Sequence, residues 1–319
     1  MLSRHIIRSK TLQAIYSYSL SGETDLARGR SRLIDSVEDM ADLVHYQLSA
    51  LLELRDIAEQ KTEENRHKLV PTEGDLNPNV RFIENPLLGH LRNNEVITNQ
   101  IKAQHINWAE FADFFRRIFQ SVTQWNEYIL YGQNNDADFN THRKFVAKLF
   151  KKFIAFDGNL KLFYEEKNIH WGEDSQLTGL MIHAWLKSYD PNNPETLIFP
   201  QLLKQSEHIG DDDDRKYMIT LFDKTILHFD EYDALIKKHI QNWDMDRIIT
   251  IDSLILKMAM AEITEFENIP IKASMNEYIE LSKEFGTPKS NSFVNGLLDK
   301  LIKELKDQGK VVKSGRGLA

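Results

Sequence analysis

Cysteine is absent from this chain of 319 residues, which excludes disulfides, thiol catalysis and thiolate metal sites. Glycine and proline are scarce, at 14 and 8 residues, and no series of short alternating strands interrupts the helical patterns. Both absences point to an all-α fold. No apolar stretch approaches the ~20 residues that span a bilayer, so no membrane partner is expected. The N-terminus places Arg4, His5, Arg8 and Lys10 where a signal peptide would be apolar. That argues against export and for a cytoplasmic location. Signatures of catalysis are missing too: there is no P-loop, no GxGxxG after a strand, no HExxH and no GxSxG. Eleven histidines are scattered without ligand spacing. No enzyme activity, metal or cofactor is expected.

What is present is material for a large core. A hydrophobic content of 41% with 28% charged residues reads as globular, and the length suits two helical domains better than one. The net charge of −8 argues against a protein coated uniformly with nucleic acid. The charge is uneven, however. Residues 1–10 carry three Lys or Arg and no acid, and residues 303–319 carry five against two acids. Any RNA binding is therefore confined to a patch where the two ends meet. The plainer reading is that basic ends only aid solubility.

Helical periodicity predicts a first helix over about 3–19, with Ile7, Thr11, Ala14, Ile15 and Tyr18 buried and Arg4, Arg8, Leu12 and Tyr16 along one flank. Ser21 and Gly22 close it. A long amphipathic helix follows through Leu33, Val37, Met40, Val44, Leu48, Leu51 and Ala58. Residues 71–79 read as a loop, and aromatic-rich helices come next. Around 143–152 a basic helix carries Arg143, Lys144, Lys148, Lys151 and Lys152 among Phe145, Phe150 and Phe153. It reads as a buried aromatic stripe with a solvated cationic face; an extended RNA track is the alternative. Further helices are predicted near 174–188 and 197–208. The acidic run 211–214 suits a helix start and lacks the Gly and Glu of a calcium loop. Asp244 is a natural N-cap for a buried helix carrying Ile248, Ile251, Leu254, Ile255 and Met258. Pro270 starts the next helix, whose predicted stripe is Met275, Tyr278, Ile279, Ser282 and Phe285. Gly286 ends it, and Thr287 and Pro288 restart the last helix.

The corner Gly286 to Phe293 holds the most suggestive local chemistry. A helix N-terminus offers free N–H groups and a partial positive charge, and here Lys289, Ser290 and Asn291 join it. Phe293 lies at the edge of the buried stripe, so an aromatic ring stands beside an anion site, as single-stranded RNA requires. The competing reading makes Phe293 core and Ser290 a cap. On the first helix, Arg4 and Arg8 at one-turn spacing, with His5 beside them, can follow a phosphodiester backbone, or they are merely solvated charges.

Three blocks together resemble the NusB family of transcription antitermination factors. One is Ile269-Pro270-Ile271-Lys272-Ala273 through Asn276-Glu277, Ile279 to Gly286, Ser290 and Phe293-Val294-Asn295-Gly296-Leu297-Leu298-Asp299. The others are Arg8 with Leu12 to Tyr18, and Trp243 to Arg247 with Asp252, Ile255, Leu256, Met258, Ala259, Glu262 and Ile263. The resemblance covers residues 1–22 and roughly 215–305.

This resemblance implies a non-catalytic factor that binds boxA-type single-stranded RNA together with NusE, a small-subunit ribosomal protein. The pair would act on the RNA polymerase elongation complex with other Nus factors, supporting ribosomal RNA transcription. It implies RNA contacts at Arg4, His5, Arg8, Lys289, Ser290 and Phe293, and NusE contacts at Tyr16, Asp246 and Asp252. Acidic groups there suit a basic partner. His5 and Ile6 stand where more arginine is usual, and Lys289 where some relatives carry an acid. Asn276, Glu277 and Asn295 also match, as family positions or as polar groups that satisfy buried partners. The expected organisation is a NusB-like domain over 1–22 and 211–306, a helical insertion over 23–210, and a basic flexible tail over 307–319. Two rival functions remain: a helical protein–protein scaffold without RNA contact, and the NusB-like domain of a ribosomal RNA methyltransferase system.

Overall fold

The structure, a computed structural model, describes residues 1–134, 136–193, 196–204, 213–240 and 250–314. In chain order its α-helices are α1 (Arg4–Ser21), α2 (Leu26–Arg66), α3 (Glu73–Leu76), α4 (Pro86–Arg92) and α5 (Glu95–Ala103). Then come α6 (Ala112–Thr123), α7 (Asn126–Gln133), α8 (Phe139–Phe150), α9 (Gly158–Lys167) and α10 (Trp171–Ser188). The last are α11 (Asp214–Leu227), α12 (Phe229–Ile240), α13 (Thr250–Glu265), α14 (Ile271–Phe285) and α15 (Ser290–Asp307). A 3₁₀ turn precedes α6, and a π-helical turn, Lys151–Ala155, extends α8. The described residues include no strand, as an all-α fold requires. No helix among them is long and apolar enough to cross a membrane.

The chain divides into two compact units, one of residues 1–37 and 201–319, the other of residues 38–200. In the first unit α13 is the central element. Leu254, Ile255, Leu256, Met258, Ala259, Met260, Ala261 and Ile263 are all buried, so the helix is enclosed on every side. It packs against α1, α11, α12, α14 and α15. At roughly 1.5–3 kcal/mol for each large side chain withdrawn from water, this helix anchors the unit. α1 begins at Ser3, whose side chain accepts from the Ile6 N–H, and closes at Gly22 with φ +66°, a left-handed position suited to glycine. Ile7, Thr11, Ile15 and Tyr18 are buried as the periodicity predicts. Asp213 caps α11, its side chain accepting from Lys216 N, so the acidic run does open a helix. Asp211, Asp212, the Asp244 cap and Ile248 lie outside the described residues.

In the second unit α10 packs on α8 and α9. Its core is aromatic: Phe163 lies 4.8 Å from Trp108 and 4.6 Å from Phe111, and Trp108 donates to Ser49 Oγ. Tyr131 stacks on Phe145 at 3.8 Å, its hydroxyl held by Asn85 and His142. The residues of the long amphipathic pattern in α2 are buried throughout.

Three local expectations are corrected. The 71–79 loop contains the short helix α3, nucleated by a capping box between Thr72 and Asp75. Residues 197–204 are not helical, which fits Pro200 within them, and 205–208 lie outside the described residues. The buried face of α14 is Ser274, Tyr278, Leu281 and Ser282, rotated from the predicted stripe. Polar Ser274 turns inward because a buried carboxylate awaits it, as described below. The tail is described as far as Ser314; its residues are exposed or half-buried, with Lys313 Nζ donating to Phe266 O, Ser314 N to Glu267 O, and Lys310 bonding Glu231.

Candidate nucleic-acid interface

The first unit brings the N-terminal turns of α1 against α11, α13 and α14, and each cation of the predicted flank meets a carboxylate. Arg8 forks onto Glu262, with Nε to Oε2 at 2.8 Å and Nη2 to Oε1 at 2.9 Å, and its Nη1 donates to Glu277 at 3.2 Å. The Arg8 side chain is 5% exposed and that of Glu262 not at all, so this is a core ion pair. Glu262 also accepts from Ser274 Oγ at 2.6 Å, from Tyr278 OH at 3.1 Å and from Tyr217 OH. Five donors therefore surround one carboxylate. Burial alone would push its pKa up, but the Arg8 guanidinium and the hydroxyls together hold it below the ordinary value. The same negative charge, added to burial, raises both tyrosine hydroxyls well above theirs.

Arg4 pairs with Asp214 at 2.9 Å and lies 4.1 Å over the Tyr217 ring. His5 sits between two glutamates, Nδ1 at 3.1 Å from Glu277 and Nε2 at 3.1 Å from Glu284. Both nitrogens can donate only when the ring is protonated. Glu284 precedes Thr287 by three residues, so His5 reaches the helix end that runs into the corner.

At the corner α15 starts at Ser290, two residues later than the sequence suggests, and without a side-chain cap. Ser290 is buried and acts as a clip. Its Oγ accepts from Thr287 N at 2.9 Å and donates to Asp252 Oδ2 at 2.8 Å. Asp252 is itself 3% exposed. Burial raises its pKa, against the lowering effect of the Ser290 bond, and Oδ1 finds no partner among the described residues. Gly286 is extended rather than left-handed, at φ −95°. Its glycine is needed for space: a Cβ there would lie 2.5 Å from both Ser282 O and Ser290 Oγ. Gly286→Ala should therefore cost about 1–3 kcal/mol by forcing the corner apart, read as a lower urea midpoint. A midpoint unchanged from wild type would refute this close approach.

The predicted site residues thus separate. Lys289 is exposed, Phe293 is half-buried at the stripe's edge, and Arg4 and His5 are half-buried. Arg8 and Ser290, expected among the RNA contacts, are buried; the side chains of α13 and α14 draw them inward. Tyr16, expected on the NusE side, is 41% exposed. Asp252, expected there too, points into the clip, and Asp246 lies outside the described residues. Sequence reasoning named Glu262 only as a matching position and missed its role as the hub. The signal was there: a lone carboxylate in the run Met258-Ala259-Met260-Ala261-Glu262-Ile263 needs a buried cation.

Comparison with known proteins places this geometry in context. A model described as "NusB family" matches residues 181–303, from within α10 into α15, a span that omits α1. The "Transcription antitermination protein NusB" of Salinibacter ruber is 43% identical over 104 residues, 33% of this chain and 65% of that protein. Its namesake in Chloroherpeton thalassium is 38% identical over 104 residues, 33% of this chain and 49% of that one. The match therefore spans less than two thirds of either relative's length. The namesake in Nitratiruptor sp. is 35% identical over 122 residues, 38% of this chain and 86% of that protein. A solved structure of T. maritima NusB aligns with 26% identity and a TM-score of 0.28, covering 39% of this chain and 83% of that one.

Proposed function

Because the chain belongs to the NusB family, we propose that it is a non-catalytic factor in transcription antitermination. In this reading it is a cytoplasmic protein that holds boxA-type single-stranded RNA jointly with NusE. The pair acts on the RNA polymerase elongation complex with other Nus factors, notably during ribosomal RNA synthesis. The observation that carries the reading is the kinship with the antitermination protein of Nitratiruptor sp., which extends over 86% of that relative.

The geometry supports a small RNA contact centred on the first turn of α15. Lys289 is exposed, the helix opens without a side-chain cap, and the half-buried Phe293 ring stands one turn on. Free N–H groups and the lysine hold a phosphate while the ring meets a base. Ser290 shapes this patch from beneath through its bond to Asp252, and His5 reaches its edge through Glu284. Arg4 and Arg8 lie apart from it, with Asp214, Tyr217 and Glu262. Tyr16 remains the accessible candidate for the NusE side.

Phe293→Ala should weaken binding by about 1–3 kcal/mol and alter preference among RNA sequences. Lys289→Ala should lower the salt dependence by about 0.7 in log–log slope for any single strand. Titration of labelled boxA RNA against salt, with and without NusE, checks both. Salt-independent or undetectable binding in the presence of NusE would remove the reading. The carboxylates facing Arg4, His5 and Arg8 favour one alternative, a helical scaffold that binds proteins alone. NusE binding that RNA neither strengthens nor weakens would select it.

A further inference from the structure

The second unit carries a concentration of positive charge that the interface above does not use. Lys144 and Lys148 of α8 and Lys151, which opens the π-helical turn after it, are four and three residues apart, so they form one stripe about 6 Å from lysine to lysine. The π-helical turn that follows widens the helix by one residue and sets Lys152 beside Lys151 on the exposed surface. α10 adds His183 and Lys187, four residues apart. Together with Trp125, Glu127 and Phe156 these side chains line an open cavity of about 800 Å³. All five lysines are exposed.

Five lysines there face a single lining carboxylate, Glu127, already bonded to Lys148 at 2.8 Å. In a chain of net charge −8, this concentration opposes the overall balance. Phe156 is 44% exposed at the end of the π-helical turn, with Lys151 Nζ 6.0 Å from its ring. His183 has its pKa lowered, first by burial and then by the neighbouring Lys151 and Lys187.

We propose that this lysine-lined cavity of the second unit is a second contact for single-stranded RNA, with the lysines on successive phosphates and Phe156 under a base. The charge suits an anion, the linear stripe a chain of anions, and the exposed ring a planar group. The choice of RNA among polyanions rests on the function proposed above. The contact itself lies outside the α11–α15 region that carries it.

The test compares the full chain with a Lys144→Gln/Lys148→Gln/Lys151→Gln/Lys152→Gln variant, binding boxA RNA with and without a long single-stranded extension. The exposed lysines leave the helical content and melting unchanged, which circular dichroism checks. The extension should tighten binding to wild type, and the variant should lose that gain. Its salt slope on the long RNA should fall by about 2–3, from roughly 0.7 for each phosphate released. Phe156→Ala should weaken the long RNA about tenfold. An unchanged slope, or no gain from the extension in wild type, overturns the proposal while leaving the corner site intact. Polyglutamate competing as well as RNA at equal charge also overturns it, in favour of an acidic protein. Conversely, long RNA bound without regard to boxA or NusE, and lost in the lysine variant, upholds this contact and refutes the earlier reading. No RNA binding at all refutes both.

Discussion

Arg8→Ala should destabilise the first unit by about 3–5 kcal/mol, because it strands a fully buried carboxylate. The two Arg8–Glu262 bonds and the Arg8–Glu277 bond vanish together, leaving Glu262 with the three hydroxyls alone. The loss should appear in urea or thermal melts followed by circular dichroism. It should also depend on pH in a defined sense. In wild type the Glu262 carboxyl is held below its ordinary value of 4.5, so its contribution is complete above that pH and disappears as pH falls through the folded value. In the variant burial acts unopposed by the guanidinium, raising the carboxyl and favouring its neutral form. The variant's deficit should therefore shrink in acid. Adding Glu262→Gln, which removes the stranded charge, should restore part of the loss. A variant as stable as wild type would refute a core ion pair and restore Arg8 to the surface. The distinction bears on function: weakened RNA binding by Arg8→Ala must be separated from lost folding before it is read as a lost phosphate contact.

The second large effect concerns the packing of α1, the start of α2 and α11. Phe222 is fully buried, meets Tyr18 edge-on at 5.6 Å, and lies against Gly29. Phe222→Ala should cost about 3–5 kcal/mol through lost burial and the cavity left behind. Gly29 supplies an internal control. A Cβ at Gly29 would fall 2.6 Å from Phe222 Cζ and 2.8 Å from Tyr18 Cδ2. Gly29→Ala alone should thus destabilise despite the ~1 kcal/mol that alanine gains within a helix. In the Phe222→Ala background one of the two obstructing rings is gone and Tyr18 has room to shift, so the same change should cost less. A double-mutant cycle measures this coupling. Additive effects would mean that the α2–α11 approach is looser than described.

The sequence alone determined the helical class, the buried stripes of α1, α2 and α13, and several helix ends. These depend on local rules: a 3.6-residue period, Ser3 and Asp213 as caps, Gly22 as a left-handed stop, and Leu254 to Ile263 enclosed on all sides. It also marked the α15 corner and the basic stripe of α8, since charge and aromatic spacing are visible along a single helix. The fate of each polar side chain was not visible. A helical wheel places Arg4, His5 and Arg8 on one flank but cannot say which helix will cover it. Here α13 and α14 do, bringing Glu262, Glu277 and Glu284 across more than 250 residues of chain. Ser290 and Asp252 look like separate surface groups in sequence and become one buried clip only when α13 and α15 pack together. Burial and charge pairing are properties of neighbours, and neighbours distant in sequence are chosen by tertiary packing alone.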